Sequence, residues 1–402
     1  MDGLGDRAVP QLDGKTPLQV AKTPVFDRLA KTGLNGIMDV IGPGITPGSD
    51  AAHLALFGYD PKVYYKGRGP LETLGSGLDS KPGDIAFRSN FATVDSNLIV
   101  TDRRAGRTFT PEEQKALQEQ IDGLEIDGVK VRFLATVEHR GALVLRGKGL
   151  SDQITDVDPH ETGKRVLECK ALTPEAKETA KVVNKLMVEV NKRLKDLKIN
   201  KEREKRGLPP ANIILLRGPG RHDEIPSLKE KFNIKAAVIA GGALYIGAGK
   251  YVGMVHEPVE GQTGTITTNF HNIALKAIEC INSDYDYVFV HIKATDNASH
   301  DGNYKEKILA IEKTDEMVGT IVDAVGGKIV MAITGDHSTP VTVEEHACDP
   351  VPIILWADFM RSDSVEKFSE IDALHGGLNT IHGLDVMPLL LGYAGYFEKF
   401  GA

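Results

Sequence analysis

The chain has 402 residues, of which 48 are basic and 56 acidic, giving a formal net charge of −8 at pH 7. This charge balance argues against a nucleic-acid-binding surface, so any anionic ligand must meet a local basic pocket. The length favours two domains, because a single hydrophobic core rarely grows beyond roughly 250 to 300 residues.

The N-terminal region predicts a serine at the start of a helix. The chain opens with a glycine-rich loop over residues 1–6, and a turn-rich stretch over 42–50 is followed by an alanine- and leucine-rich run to Phe57. Ser49 is therefore expected on a tight turn at a helix N-terminus, where free N–H groups and the helix dipole favour a phosphate. Taken alone, Ser49 has the simpler interpretation of a helix cap.

The middle of the chain predicts an inserted α+β domain. A linker-like stretch begins near Gly75, and beyond it hairpins alternate with helices, one of which starts at the capping box 110–113 (TPEE). We therefore predict a metal-binding core in two parts, interrupted by a substrate-binding insert, with the three segments over residues 1–77, 78–225 and 226–402.

Two apolar runs in the C-terminal region, YVFVHI and IVMAIT, are each followed by an aspartate and a histidine. Residues with helical spacing over 304–325 connect the two runs, which predicts a βαβ unit. The expected fold class is α/β, with a largely parallel sheet flanked by helices. Because the carboxyl ends of parallel strands meet at one edge of a sheet, four side chains should converge there: Asp296, His300, Asp336 and His337.

These side chains are of the types that bind divalent cations, since carboxylate and imidazole groups without cysteine suit Mn²⁺, Zn²⁺ and similar ions. A single Asp-His pair after a strand is more often a capped turn, but two such pairs at strand ends favour a metal site. Two ions could hold a phosphoryl group and activate a serine hydroxyl, which is otherwise a weak nucleophile. The candidate ligands are Asp2, Asp296, His300, Asp336, His337 and His346, with Ser49 as the nucleophile.

A second set of candidate side chains falls mostly in the predicted insert and is largely basic. Arginine is the preferred clamp for carboxylate and phosphate groups, although scattered surface arginines are the alternative interpretation. Lys250 follows a glycine-rich stretch and is expected on a flexible loop from which it reaches a phosphate. The candidates for substrate binding are Arg88, Asp102, Arg103, Arg107, His139, Arg140, Arg217 and Lys250.

Five short motifs, taken together, resemble the signatures of the alkaline phosphatase superfamily. In chain order they are DGLGD at 2–6, TPGSD at 46–50, the segment 296–300, GDHS at 335–338 and His346. Over essentially the whole chain, insert included, the sequence is most similar to the archaeal type of cofactor-independent phosphoglycerate mutase.

The resemblance implies a reaction through a phosphoserine. Ser49 would take the phosphoryl group from 3-phosphoglycerate and return it to the other hydroxyl of the bound glycerate, without 2,3-bisphosphoglycerate. Basic residues of the insert would hold the substrate. Two divalent ions, typically manganese with zinc, cobalt or magnesium as alternatives, would be bound, one by Asp296, His300 and His346 and the other by Asp2, Ser49, Asp336 and His337.

Two kinds of alternative function stay open. A phosphatase, phosphodiesterase or phosphopentomutase could use the same scaffold, and an insert that excludes water would distinguish a mutase from a phosphatase. The other alternative is an inactive phosphoglycerate-binding protein, which an absence of bound metal would favour. It arises because the family has a buried strand before its first aspartate, whereas here Met1 precedes Asp2. We therefore expect Asp2 on a fraying terminus and the second ion bound weakly.

Partners and compartment follow from composition. The cysteines Cys169, Cys280 and Cys348 are far apart and form no Cys-x-x-Cys motif, which predicts reduced thiols in a cytoplasmic protein. The most apolar stretch, 236–255, contains Lys250 and is too short to cross a membrane. The expected partner is a small phosphoglycerate substrate, with neither nucleic acid nor membrane.

Overall fold

The computed structural model describes residues 1–397, 399 and 401. Its internal contacts divide the chain into two compact units, a first unit of Met1–Tyr65 with Pro226–Ala402 and a second unit of Lys66–Ile225. The division observed after Tyr65 lies before the helix Arg68–Ser76, which packs against strands of the second unit. The boundary predicted after residue 77 lies on the other side of this helix.

Helices begin where the sequence supplies caps or first-turn prolines, as at the capping box of Thr110 and Glu113. In chain order the α-helices are α1 Pro17–Val20, α2 Pro24–Thr32, α3 Ser49–Leu56, α4 Pro61–Tyr64, α5 Arg68–Ser76, α6 Pro111–Gln118, α7 Lys177–Leu194, α8 Lys198–Lys205, α9 Leu228–Phe232, α10 Ala243–Tyr251, α11 Phe270–Ile281, α12 Ala294–His300, α13 Tyr304–Val325 and α14 Gly383–Tyr393.

Most strands are short and rich in apolar and β-branched residues. They are β1 Leu34–Asp39, β2 Ile85–Val94, β3 Val100–Asp102, β4 Glu125–Ile126, β5 Val129–Ala135, β6 Arg140–Arg146, β7 Ile213–Arg221, β8 Ala236–Ile239, β9 Val255–His256, β10 Tyr287–Val290, β11 Met331–Thr334, β12 Val351–Trp356 and β13 Asn379–His382.

The first unit confirms the expected α/β class, with two sheets among flanking helices. One sheet has the order β10-β8-β9 and is parallel, and the other has the order β11-β12-β1-β13. The second sheet is mixed, because β12 runs antiparallel to both of its neighbours. The two predicted apolar strands, β10 and β11, are joined by α13, but they lie at the edges of different sheets instead of in one βαβ sheet.

The second unit is an antiparallel sheet with helices, in agreement with an α+β insert. Its strands have the order β3-β2-β6-β5-β4, and β7 also pairs with β2. Hairpins form in this region as expected, β2 with β3 and β5 with β6. Its hydrophobic core joins the sheet to α7, as in Phe87, Leu143, Leu186 and Val190.

The N-terminus is held between β10 and β11, which contradicts the expectation that Asp2 frays. The Met1 ammonium donates to the Thr334 carbonyl at 2.9 Å, and the Asp2 N–H donates to the Ile292 carbonyl at 2.8 Å. Asp2 is completely buried. Two main-chain hydrogen bonds on opposite sides therefore fix the first residues in place.

Within the described residues, no α-helix combines the length and apolar character needed to cross a membrane.

Candidate active site

Ser49 lies where the sequence predicted it, in the first turn of α3. Gly48 is the extended residue that precedes the helix, and Ser49 is only 6% exposed. The Oγ atom of Ser49 lies 3.0 Å from Nε2 of His337. A buried hydroxyl thus meets an imidazole at a helix N-terminus, where anionic oxygens are favoured.

A first group of possible metal ligands comprises Asp2, Asp336 and His337, whose ligand atoms lie within 4.8 Å of one another. Nε2 of His337 is 3.1 Å from Asp2 Oδ1 and 3.3 Å from Asp336 Oδ2. The opening loop places Asp2 through Gly3, which has a φ of 60°. A Cβ on Gly3 would lie 2.6 Å from Thr339 Oγ1, so the turn requires glycine.

A second group comprises Asp296, His337 and His346, again within 4.8 Å. His300 lies one helical turn after Asp296 in α12, with its Nε2 atom 3.4 Å from Asp296 Oδ1. Nε2 of His346 is 3.7 Å from the same oxygen. The structure therefore brings all the predicted ligands together, and His337 lies in both groups instead of only the one that the resemblance implied.

Each of the outer histidines is oriented by a main-chain carbonyl. Nδ1 of His300 donates to the Glu344 carbonyl at 2.7 Å, and Nδ1 of His346 donates to the Pro47 carbonyl at 2.9 Å. A proton held on Nδ1 leaves the lone pair on Nε2, which in both rings is the nitrogen nearest Asp296. This is the usual arrangement behind a metal-binding histidine.

His337 is oriented by Thr339 in the same way. The Thr339 hydroxyl donates to Asp296 Oδ1 at 3.1 Å and lies 3.0 Å from His337 Nδ1. Because its proton is used on the carboxylate, the hydroxyl accepts from Nδ1–H. In the neutral ring Nε2 then carries the lone pair toward Ser49 and Asp2.

Two carboxylate oxygens at the centre are left without a protein donor. Asp2 Oδ1 and Asp336 Oδ2 are buried and have no hydrogen-bond partner within the described part of the chain. A buried anionic oxygen without a donor is costly, and a cation removes that cost. The donor set of carboxylates and imidazoles therefore fits divalent ions.

The charges at the centre shift the pKa values of its side chains. The carboxylate of Asp296 raises the pKa of His300 to about 9. Burial lowers the pKa of His337, but the carboxylates of Asp336 and Asp2 outweigh it and raise the value to about 8. Burial, and then the charge of Asp2, raises the pKa of Asp336. Without an ion, protons therefore compete for these ligands.

Lys293 is a central residue that the sequence reasoning missed. Its Nζ atom lies 3.2 Å from Asp2 Oδ2 and 2.7 Å from Asp296 Oδ2, between the two ligand groups. Burial lowers its pKa, but Asp2 and other anions raise it overall, so the ammonium stays charged. Its position in the sequence could have indicated this role, because Lys293 lies between the predicted strand and Asp296, three residues before that aspartate.

Three aromatic side chains behind the centre were also missed. His53, which none of the sequence motifs singles out, is 1% exposed, and its Nδ1 is 3.5 Å from Asp336 Oδ2. The His53 side chain is buried because α3 packs the face that carries it into the protein interior. His291 stacks on Tyr245 with ring centroids 3.6 Å apart, and burial lowers the His291 pKa to about 3. Neutral His291 lies 3.3 Å from Asp2 Oδ2.

The basic candidates of the second unit gather around one part of its sheet. Arg88 on β2 is opposite Arg217 on β7 in the strand register. His139 precedes Arg140 and is buried; burial first, and then the charges of Arg140, Arg107 and Arg217, lower its pKa to about 4. These side chains therefore act on one another electrostatically, as an anion-binding cluster would.

Neighbouring acids neutralise some of these arginines but not all. Arg103 makes a two-pronged ion pair with Asp158, at 3.1 and 2.7 Å. Nε of Arg217, by contrast, is buried without a hydrogen-bond partner in the described residues, and Nη2 makes only a 3.4 Å contact with Asn90. Arg217 thus retains the capacity to bind an anion.

A further arginine, Arg68 in α5, was missed because it lies before the predicted insert boundary. Arg68 Nε and Arg88 Nε lie 3.0 and 3.2 Å from the same Glu72 oxygen. Burial lowers the pKa of Arg88. The Glu72 carboxylate opposes this shift and the positive charge of Arg68 adds to it, so that the pKa is about 10.

Asp102 shapes the turn that carries Arg107. Its carboxylate accepts from the N–H groups of Arg104 at 2.7 Å and Gly106 at 2.9 Å. The turn contains non-glycine residues with positive φ, 41° at Ala105 and 60° at Arg107. The structure thus gives Asp102 a clear role in backbone geometry.

The expectation that Lys250 lies on a flexible loop is wrong. Lys250 is exposed in the last turn of α10, in the first unit. The preceding glycines serve close packing, since a Cβ on Gly249 would lie 2.7 Å from Val238 Cγ1 of β8.

Comparisons with known proteins agree with this site. Residues 30–200 match a family model described as 2,3-bisphosphoglycerate-independent phosphoglycerate mutase. Proteins of that name from Methanocaldococcus jannaschii and Ignicoccus hospitalis are 51% and 49% identical over 100% of this chain and cover 98% and 97% of their own lengths. Two solved structures are each 38% identical. A protein from Pyrococcus horikoshii has a TM-score of 0.85 and covers 100% of this chain and 97% of its own. A cofactor-independent phosphoglycerate mutase from Thermoplasma acidophilum has a TM-score of 0.74 and covers 98% of both.

The α/β core, with a serine at a helix N-terminus beside clustered carboxylates and imidazoles, has the alkaline-phosphatase-like fold. Sequence identity to these relatives over the whole chain identifies the family within this fold class. The chain belongs to the 2,3-bisphosphoglycerate-independent phosphoglycerate mutase family, which confirms the resemblance of its motifs.

Proposed function

We propose that this chain interconverts 3-phosphoglycerate and 2-phosphoglycerate, with Ser49 as the transient carrier of the phosphoryl group. The observation that carries the proposal is the position of Ser49 Oγ, 3.0 Å from His337 Nε2 and at the N-terminus of α3. The names of relatives about half identical to this chain support the same reaction.

The proposal includes two divalent ions, with manganese as the preferred one. When bound, they would lower the pKa of the Ser49 hydroxyl and neutralise phosphoryl oxygens. The unsatisfied oxygens of Asp2 and Asp336 support this. The proposed ligands are Asp296, His300 and His346 for one ion and Asp2, Ser49, Asp336 and His337 for the other, with the central position of His337 favouring a contribution to both.

The reaction balances within the enzyme. Ser49 Oγ attacks phosphorus, the bond to the substrate's 3-oxygen breaks, and the serine proton is matched by the proton gained by the glycerate hydroxyl. The glycerate then presents its 2-hydroxyl, whose oxygen attacks the phosphoserine. The bond from phosphorus to Ser49 Oγ breaks, and the proton lost by the 2-hydroxyl is matched by the proton that Ser49 regains. Because no water enters the balance, release of free phosphate measures failure of the transfer.

The arginine cluster of the second unit is proposed to hold the substrate's carboxylate and hydroxyl groups. Arg217 is the strongest member of this set, because its buried Nε has no partner in the described residues. The remaining proposed contacts are Arg88, Asp102, Arg103, Arg107, His139, Arg140 and Lys250.

The compartment is proposed to be the cytoplasm. The three cysteines of the chain support this proposal, since all are free thiols and two of them are buried.

The decisive test is conversion of 3-phosphoglycerate by purified protein with Mn²⁺, without 2,3-bisphosphoglycerate, with free phosphate measured in parallel. Isomerisation that a chelator abolishes is the expected result. Phosphate release without isomerisation would replace the mutase by a phosphatase, and no reaction with metal bound would favour a binding protein.

Ser49→Ala should lower isomerisation by at least about 10³-fold, because it removes the nucleophile. Ser362→Ala, at an exposed serine of the same unit, is the matched control and should leave the rate unchanged. Mass spectrometry of quenched protein should find phosphate on the peptide containing Ser49. Turnover retained by Ser49→Ala would reject the covalent route.

A further inference from the structure

Arg203, in α8 of the second unit, is the largest completely buried side chain in the described part of the chain. The proposed reaction gives it no role. Its guanidinium lies over the Phe109 ring, 4.2 Å from the ring centroid, and pairs with the buried Glu113 carboxylate at 2.6 Å. Burying such a charge is costly unless its donors are satisfied, so the partners of the remaining donors indicate what Arg203 holds in place.

Three further hydrogen bonds of Arg203 go to main-chain carbonyls. Nη2 donates to Ala105 at 2.7 Å and Nη1 to Thr108 at 2.9 Å. Nε donates to Pro209 at 3.0 Å. The first two carbonyls belong to residues 104–108, which we call the Arg107 turn. Arg203 therefore binds the Arg107 turn from its buried side.

The backbone of the Arg107 turn is strained. Ala105, Gly106 and Arg107 are three consecutive residues with positive φ, at 41°, 75° and 60°. Non-glycine residues keep such a conformation only where the surrounding structure holds it. The Asp102 carboxylate holds N–H groups of the turn, and Arg203 holds two of its carbonyls. The strained conformation is therefore fixed from two sides.

The Arg107 turn presents the Arg107 side chain to solvent. This side chain is exposed and makes no hydrogen bond or ion pair within the described residues. Burial, and then the charges of Arg140 and Arg107, lower the pKa of His139, so Arg107 belongs to the basic cluster. A guanidinium on a fixed turn suits the recognition of a carboxylate, because the backbone that carries it loses little freedom on binding.

We propose that Arg203 is a positioning residue for substrate binding: through two main-chain carbonyls it fixes the Arg107 turn, and with it the guanidinium that meets the carboxylate of the glycerate. This inference rests on the proposed function, since it requires Arg107 to contact phosphoglycerate. Arg203 itself, being completely buried, does not contact the substrate. The simpler alternative is that Arg203 only stabilises the second unit through its pair with Glu113.

The test compares Arg203→Met, Arg107→Gln and the variant with both changes, each in the full chain with Mn²⁺. Arg203→Met should raise KM for 3-phosphoglycerate about tenfold or more and change kcat much less. In the Arg107→Gln background the same change should raise KM less than about twofold, because Arg203 then has no guanidinium to position. An undiminished effect of Arg203→Met in that background would overturn the proposal.

A matched control separates positioning from stability. Arg146, in β6, pairs with the buried Asp84 at 2.7 Å and likewise holds a main-chain carbonyl, that of Asp79, at 3.0 Å. Arg146→Met should therefore lower the thermal midpoint, as Arg203→Met does, while leaving KM unchanged. An equal rise of KM in the two variants would mean a loss of stability alone and would reject the positioning role.

Gly106→Ala displaces the Arg107 turn without removing a charge. A Cβ at this position would lie 2.9 Å from Cδ of Pro209, and alanine is disfavoured at the φ of 75°. This variant should raise KM about threefold or more, and it keeps the question decidable if Arg203→Met does not fold. An unchanged KM in Gly106→Ala would contradict the inference.

Failure of this inference and failure of the proposed function give different results. Isomerisation by the unaltered chain, with an unchanged KM in Arg107→Gln, keeps the proposed function and rejects the role of the Arg107 turn. No isomerisation by the unaltered chain rejects the proposed function and this inference with it.

Discussion

The two units carry opposite charges at their centres. In the first unit, Asp2 and Asp336 keep buried carboxylate oxygens that no protein group satisfies. In the second unit, arginines are in excess: Arg103 is paired with Asp158, but Arg217 keeps an unsatisfied buried Nε. Buried polar groups without hydrogen-bond partners therefore indicate the ligand sites better than charge alone does. They indicate a cation site in the first unit and an anion site in the second.

The largest expected effect comes from His337→Gln, because His337 belongs to both ligand groups. The variant should lose both ions and lower isomerisation on the order of 10³-fold. His300→Gln should keep one ion, since His300 approaches only Asp296. Metal content after dialysis, measured by mass spectrometry, gives the number of ions per chain.

The control for these variants is His375→Gln, at an exposed histidine of the first unit. It should keep both ions and full activity. One tightly bound ion remaining in His337→Gln would show that the two groups do not share this residue.

A second expected effect compares Arg217, whose Nε has no partner in the described residues, with Arg103, which is paired with Asp158. Arg217→Gln should raise KM for 3-phosphoglycerate about 10- to 100-fold, which is about 1.4 to 2.8 kcal/mol, with little change in the thermal midpoint. Arg103→Gln leaves the fully buried Asp158 unpaired and should destabilise the fold by about 3 kcal/mol or more.

Both measurements need a matched surface arginine. Arg193→Gln breaks only an exposed pair with Glu189 and should change KM and stability very little. An unchanged KM in Arg217→Gln would remove Arg217 from the binding cluster.

Local patterns were sufficient for much of the fold. The helix predicted over 304–325 is α13, because its apolar spacing is regular and Gly326 ends it. Asp296, His300, Asp336 and His337 could be predicted to converge, since each pair follows the end of an apolar strand, whereas Asp2 and Ser49 joined this set through the family motifs.

What could not be predicted depends on contacts between distant segments. Whether β10 and β11 are neighbours in one sheet depends on the strands with which they pair, β8 and β12, and neither apolar run carries that information. Gly249 was interpreted as part of a loop, whereas Val238, in a separate strand, is what requires a glycine there. His53 and Lys293 belong to the site only because the fold brings them close to Asp336 and Asp2, which are distant from them in the sequence.

A smaller expected effect concerns pH. Without metal, the Asp296 carboxylate raises the pKa of His300 to about 9, above the ordinary value of about 6.5 in the unfolded chain. His300 therefore stabilises the metal-free fold fully below pH 6.5, and this stabilisation is lost as the pH rises through 9. With Mn²⁺ the sign reverses, because the ion requires the neutral ring.

The measurement is the difference in unfolding free energy between the unaltered chain and His300→Gln, from pH 6.5 to 9. The difference should shrink with rising pH in a chelator and grow with rising pH in Mn²⁺. The same slope in both solutions would mean that His300 does not bind the ion.

The smallest expected effect tests whether the two units unfold separately. Both contain a capping box, Thr110 with Glu113 in the second unit and Ser227 with Glu230 in the first. Replacing either cap by alanine should cost about 1 kcal/mol. The single tryptophan, Trp356, is buried in the first unit, so its fluorescence reports that unit alone.

Because the hydrophobic cores of the two units share no residues, Ser227→Ala should lower the urea midpoint seen by Trp356, and Thr110→Ala should leave it nearly unchanged. Circular dichroism of the same samples, which follows both units, should show both shifts. Equal displacement of the Trp356 midpoint by the two variants would mean that the whole chain unfolds in one cooperative step.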